Sequence, residues 1–278
     1  MKKYLLMLLM FLGSLAAEAQ IEDVELKMVD DPYATKELYA RTKQVIQFFR
    51  RFNSEEDQYG NGYDKSDKKY HNNSLRKKSL GLLFDQGGYI SKDLQKLFID
   101  QVTDKKKPVY LDFHGKDWFA EVSGKFLWKG KERNLIMFLK LEKSEKGYKW
   151  VLTNVFFEDF RAYFDAQADP QKYFLHPLSH ELDFLPLSKA FRNLDHIQEY
   201  ASDDHHIDYL SIFFYELKQG NLVFQNVNRV KFHFFQVPDW YFELSYINRP
   251  GLNAGWLISN LHYVTNEQKE ALIKLYQP

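Results

Sequence analysis

The stretch Arg133–Phe157, RNLIMFLKLEKSEKGYKWVLTNVFF, is echoed later in the chain by Trp240–Val264, WYFELSYINRPGLNAGWLISNLHYV. Aligned end to end, Trp150 falls on Trp256, Leu152 on Ile258, Thr153 on Ser259 and Asn154 on Asn260. Earlier in the pair, Ile136 meets Phe242, Phe138 meets Leu244 and Leu141 meets Ile247. Apolar residues alternate along both arms of each copy, the period of a strand that buries one face. Each copy therefore reads as two long strands joined by a polar loop. What repeats is a set of apolar positions, a Trp and a Thr/Ser-Asn step, with no reactive set repeating beside them. The hairpin is thus the structural spine of each half. A local function belongs where the copies differ: the Glu55–Asn73 loop, the junction between the halves, and the Asp203–Asp208 cluster.

The elements around each hairpin repeat in the same order, helices and then a meander. Asp31-Pro32 matches an N-cap followed by proline at the first helical position. From there to Phe52, Leu38, Val45, Ile46, Phe49 and Phe52 recur at helical spacing, with Lys36, Lys43, Gln47, Arg50 and Arg51 on a solvated face. Glu55–Asn73 is polar, without an apolar period, and reads as a mobile loop whose acidic spacing does not fit a calcium-binding helix-loop-helix. Ser74–Phe84 and Ser91–Val102 read as helices, the second capped by Ser91 with Asp93 in its first turn. The period then changes to two, and Val109–Phe113, Trp118–Trp128, Leu135–Leu141 and Tyr148–Phe157 read as strands. In the second half, helical signals in 186–193, 197–201 and Ile207–Lys218 precede strands at Leu222–Val227, Val230–Phe235, Tyr241–Ile247 and Gly255–Val264. Thr265-Asn266-Glu267-Gln268 fits a capping box that opens a last helix burying Ala271, Leu272 and Leu275. The expected fold class is α+β, with two related domains, 20–165 and 166–278, each packing helices on a curved antiparallel sheet.

The chain of 278 residues is long enough for two such cores. Its first residues have another purpose. Lys2 and Lys3, the apolar run Tyr4–Leu15 and the small-x-small step Ala17-Glu18-Ala19 read as a signal peptide, residues 1–19, that leaves Gln20 as the new N-terminus. The expected location is periplasmic or secreted, with no stable membrane span once the leader is cleaved. The chain has no Cys, which excludes disulfides, thiolate metal sites, a Cys nucleophile and lipidation through Cys. Thirty-eight basic and 38 acidic residues cancel, so no net field draws nucleic acid or an anionic membrane. Aromatic residues make up 17% of the chain, and most alternate along the strands, as cross-strand pairs in a broad sheet require.

A helical layer followed by a long antiparallel meander resembles the nuclear transport factor 2-like folds, also called cystatin-like α+β cones. The residues that carry the resemblance are the helix from Tyr33 to Phe52, the short helices to Val102 and the strands through Phe157. Ile207–Lys218 and the strands from Leu222 to Val264 carry it in the second half. The resemblance covers most of the chain after the leader and rests on element order, without a signature motif. It implies a cone-shaped cavity between sheet and helices that often holds a small apolar ligand and in some members an Asp/His active site. No family catalytic residue transfers to a position here.

The polar cluster Asp203-Asp204-His205-His206-Ile207-Asp208 combines carboxylates and imidazoles, the groups of zinc sites and acid–base chemistry. It lacks the HExxH spacing that sets two ligands on one helix face, and Asp203 or Asp204 also serves as an N-cap for the helix that follows. His176 and His180 share a face only if Pro177 sits in a first turn. No G-x-S-x-G elbow and no glycine-rich phosphate loop is present. Trp150 and Trp256 occupy one repeat position, as core residues or as stacking platforms for a sugar. His262 takes the repeat position of Phe156, which places it on a sheet face and makes it a candidate cavity-lining residue. The reading is a non-catalytic binding or scaffolding protein with no metal or cofactor, whose partner is a small apolar or carbohydrate ligand or a cell-envelope protein. The alternative is a small-molecule hydrolase or related enzyme with an Asp/His site in a domain cavity, for which Asp203, Asp204, His205 and His206 are the candidates.

Overall fold

The computed structural model describes residues 44–57, 59–163, 187, 191–192, 197, 200–202, 208–251 and 253–276. All of these fall in one compact unit. The expected leader, the first part of the Tyr33–Phe52 helix, most of the junction expected at 158–182, His176, His180 and Asp203, Asp204, His205 and His206 lie outside the described residues. So do most of the helices expected in 186–193 and 197–201.

Among the described residues there are five α-helices and six strands, an α+β fold. Helices α1 (Val45–Asn53), α2 (Asn73–Ser79) and α3 (Lys92–Val102) come first, with a 3-10 turn Leu80–Leu83 after α2. Strands β1 (Trp118–Trp128), β2 (Lys131–Ser144) and β3 (Gly147–Phe156) follow, then a 3-10 turn Glu158–Tyr163. Helix α4 (Tyr209–Lys218), strands β4 (Leu222–Phe234), β5 (Trp240–Ile247) and β6 (Gly255–Tyr263), and helix α5 (Asn266–Tyr276) complete the order. Ser91 caps α3 by accepting from the Leu94 N–H at 3.2 Å, as its position before the apolar run requires. The cap of α4 is Asp208, accepting from the Ser211 N–H at 2.7 Å, and not Asp203 or Asp204. Thr265 and Gln268 form the expected reciprocal capping box at α5; Leu272 packs inward as expected, as do Ile273 and Tyr276, but Ala271 is exposed, and the Leu275 side chain lies outside what is described.

The strands of the two halves do not form separate sheets. They join in one antiparallel sheet of order β3-β2-β1-β4-β5-β6, with β1 and β4 paired along their whole length at its centre. Two separate meanders would each leave a long central strand with an open edge; pairing β1 with β4 closes both. Leu222–Phe234 is one strand, not two, because its ladder with β1 continues through register shifts opposite Ser123/Gly124 and Lys125/Phe126. Val109–Phe113 is not a strand. Its backbone groups bond elsewhere: the Val109 N–H donates to the Val102 carbonyl at 3.0 Å, Asn53 bonds both the N–H and the C=O of Leu111 at 2.8 Å, and Arg76 donates to the Val109 carbonyl.

Both copies of the hairpin carry a bulge at the same place. In β2/β3 the register shifts between Phe138 and Leu139 and leaves Thr153 unpaired; in β5/β6 it shifts between Glu243 and Leu244 and leaves Ser259 unpaired. Thr153 donates to the Phe138 carbonyl at 3.2 Å and Ser259 to the Glu243 carbonyl at 3.4 Å. The next residue, Asn154 or Asn260, accepts from the N–H that follows it. Matched through the bulge, Phe138 corresponds to Glu243, one residue before the Leu244 that an end-to-end alignment assigns. The longer loop of the second copy absorbs the difference.

Alternation sorts the side chains onto two faces. On the first face, Phe48, Phe49 and Phe52 of α1 pack on Trp118, Phe232, Phe234, Phe242, Leu244 and Ile258, with Phe98 of α3 beside them. At the other end of that face, Phe213 of α4 and Phe160 cover Phe126, Trp128, Leu135, Val155 and Leu222. On the second face, α5 lays Leu272, Ile273 and Tyr276 over Phe119, Phe138, Phe235 and Tyr241. Among the described residues, 19 aromatic side chains are buried in these three clusters. The sheet is strongly curled toward the first face: the Trp150 ring on β3 comes within 6.2 Å of Phe232 on β4, three strands away, where a flat sheet would separate them by roughly 14 Å.

Candidate functional site

The feature that stands out for binding is a cavity of about 380 Å³ built on the end of α1. Ser54, in the left-handed region at φ 58°, ends α1 and turns the chain back. The loop that follows is pinned, not free. The Tyr63 N–H bonds the Glu55 carbonyl, Glu56 and Gly62 form a bridge, and the Asp57 carboxylate accepts from the N–H groups of Tyr59 and Asn61. At its far end Ser54 Oγ donates to the Lys69 carbonyl, and His71 Nε2 lies 2.9 Å from Glu55. The loop thus forms one wall, with Tyr59 and Tyr63 facing the space. Leu75 and Ser79 of α2 and Leu82 and Leu83 of the 3-10 turn form the opposite wall. Asn253, from the β5–β6 loop, closes one end while its amide donates to the Leu82 and Phe84 carbonyls.

The polar part of this cavity is the pair Arg51–Glu56. Arg51 Nε donates to Glu56 Oε1 at 2.8 Å, and both residues are buried, at 7% and 5% exposure. Arg51 was expected on a solvated face. Five residues later in sequence, the reversal at Ser54 brings Glu56 back over it, so a local pair forms that helical periodicity cannot register. The Arg51 Nη2 atom is buried and has no hydrogen-bond partner among the described residues. Burial raises the pKa of Glu56, with the Arg51 charge and hydrogen bond opposing that rise.

A second polar cluster lies on the opposite sheet face. His233, 2% exposed, places Nδ1 2.8 Å from the Tyr241 hydroxyl and Nε2 3.1 Å from Glu121. The Tyr241 hydroxyl donates to Glu243 at 2.7 Å, and Lys231 donates to the other Glu243 oxygen at 2.9 Å. The His233 ring stacks on Phe119 at 4.8 Å and lies beside Tyr276 of α5 at 5.4 Å. Burial first, and then the hydrogen bond to Glu243, push the Tyr241 hydroxyl well above its ordinary pKa, the wrong direction for a nucleophile or base. The cluster holds β1, β4, β5 and α5 together.

It also sets a pH response. The hydrogen bond to His233 lowers the Glu121 pKa, so the stabilisation Glu121 gives is present above the ordinary glutamate value of 4.5 and disappears as pH falls through the lower folded value. Burial alone would raise Glu243, but bonds from Tyr241 and Lys231 overcome it and give the same sign. The expected result is a thermal midpoint that falls below about pH 4.5. Glu121→Gln should flatten that fall; an acid limb as steep as in the unmodified chain would remove Glu121 from the account.

The sequence-derived candidates are placed as follows. Trp150 is 40% exposed on the edge strand β3, edge-on to Trp118 at 5.4 Å. Trp256, on the opposite edge, packs edge-on to Phe232 at 4.7 Å and to Tyr246 at 5.4 Å. The curl of the sheet brings both Trp rings to Phe232. His262 is exposed, parallel to Tyr241 at 6.2 Å, and does not line the cavity beside α1. No group of three or more His, Asp or Glu side chains placed to hold a metal ion occurs among the described residues. No described helix is long and apolar enough to cross a membrane. No known protein family, curated protein or solved structure matches this chain.

Proposed function

We propose that the chain is an exported, non-catalytic binding protein whose cavity beside α1 takes a small, largely apolar ligand. The observation that carries this reading is the cavity itself. Its volume is within the range of small-molecule sites, and its walls are Leu75, Leu82, Leu83, Tyr59 and Tyr63 around a single buried polar pair. Export rests on the leader-like Lys2-to-Ala19 segment. The related halves, 20–165 and 166–278, rest on the hairpin repeat and gain support from the matching bulges at Thr153 and Ser259. In this reading each half contributes three strands of a nuclear transport factor 2-like, helix-covered sheet, and the halves are fused at β1 and β4.

The test is a titration of the folded protein with 1-aminoanthracene, a neutral apolar fluorophore. Saturable binding is expected, and Ser79→Phe, which places a ring in the cavity, should weaken it at least tenfold while the thermal midpoint stays within a few degrees. Absence of saturable binding, or binding unchanged in Ser79→Phe, would overturn the proposal.

A further inference from the structure

The polar floor of the cavity selects among apolar ligands by head-group charge. Arg51 and Glu56 form a one-to-one ion pair, so the floor carries no net charge. Asp57 also borders the cavity, but it is only partly buried, where water screens its charge, and its carboxylate accepts from the Tyr59 and Asn61 N–H groups and the Asn61 amide. A carboxylate seated on this floor would stand beside Glu56, and an ammonium beside Arg51; either would add an unpaired charge to a dehydrated site. A neutral head group avoids that cost. One polar valence is left open: Arg51 Nη2 is a buried donor without an acceptor, and the loop tip at Gly60, which has no side chain, passes close to it. A buried donor left unpaired costs free energy that an acceptor oxygen recovers.

Resting on the binding function proposed above, we infer that the ligand is a neutral amphiphile, an alkyl chain ending in a carbonyl acceptor such as an amide, ester or ketone. Fatty-acid anions and alkylamines are then discriminated against. The experiment is displacement of 1-aminoanthracene at pH 7 by four probes of one chain length: octanamide, octanoate, octylammonium and octane. Octanamide is expected to displace at a concentration at least tenfold lower than any of the other three. In Glu56→Gln the Arg51 charge loses its partner, and octanoate should gain at least tenfold over its binding to the unmodified protein. If the fluorophore binds but octanoate or octylammonium matches octanamide, the head-group inference is overturned while the binding function stands. If octane matches octanamide, the acceptor role of the floor is overturned in the same way. If the fluorophore does not bind, the function itself falls. The ranking of the four probes is measured on the unmodified protein, so the inference is decided even if Glu56→Gln does not fold.

Discussion

Replacing Arg76 by methionine is expected to destabilise the fold by about 3–5 kcal/mol. Arg76 is completely buried and has no carboxylate partner in the bonds it makes. Its guanidinium donates to the Phe52 carbonyl at 2.8 Å, the Val102 carbonyl at 3.2 Å, the Val109 carbonyl and the Asn73 side chain. Phe52 and Val102 lie in the last turns of α1 and α3, where carbonyls have no partner within the helix and the dipole is negative. One cation thus satisfies the ends of two helices and the extended segment that follows α3, lying over the rings of Tyr110 at 4.4 Å and Phe52 at 5.3 Å. Methionine fills similar space but leaves the Phe52 and Val109 carbonyls without their donor, each at about 1–3 kcal/mol before relaxation, while the Val102 carbonyl keeps the Val109 N–H at 3.0 Å. Lysine keeps the charge without the planar fork, so Arg76→Lys should recover less than half of the loss. Denaturant unfolding measures both variants. A loss below about 1 kcal/mol for Arg76→Met would mean that water or a neighbouring group replaces the guanidinium.

Phe234→Ala is expected to cost about 3–5 kcal/mol, a large share of a typical domain's total stability. The ring stacks on its cross-strand neighbour Phe242 at 4.7 Å and on Trp118 at 5.5 Å, and meets Phe48 and Phe49 of α1 at 5.9 and 5.3 Å. It is fully buried, so truncation opens a cavity under the first helix and also removes aromatic contacts on both sides of the central β1/β4 pair. Trp150→Ala removes a larger side chain from a half-exposed edge position, where solvent takes up the vacated space, and should cost less than half as much. Equal losses for the two variants in the same denaturant series would show that the edge aromatics are core in energetic terms, and the assignment of Phe234 as the central contact would fail.

Elements held by nearby residues were legible in the sequence. The bounds of β1 follow from alternation between two turn signals, the start of α3 from Ser91, and the start of α5 from Thr265 and Gln268. The error at Val109–Phe113 has a physical cause. The segment does have strand periodicity, but no strand pairs with it; Asn53 and Arg76, from far earlier in the chain, take its backbone groups. Reading β4 as two strands, Leu222–Val227 and Val230–Phe235, has a similar origin, since polar Asn228 and Arg229 interrupt the apolar run where the ladder with β1 shifts and then continues. The candidate cavity was legible only as a location, the Glu55–Asn73 loop. Its polar pair was not, because Arg51 looks solvated until Ser54 reverses the chain.

The repeat of Arg133–Phe157 at Trp240–Val264 set, by itself, the two-stranded hairpin of each half and the Thr/Ser-Asn step that becomes a bulge in each copy, but not the inward positions, since Ile136 and Phe138 face α5 while the aligned Phe242 and Leu244 face α1. These depend on backbone period and on hydrogen bonds within one hairpin, which neighbouring residues specify. Only the tertiary structure decided that β1 and β4 join six strands in one sheet, that its curl brings Trp150 and Trp256 to the same ring, and that Arg51 and Arg76 are buried. Those outcomes depend on which open edges and unpaired carbonyls meet across long stretches of chain, and no local pattern of residues encodes that meeting.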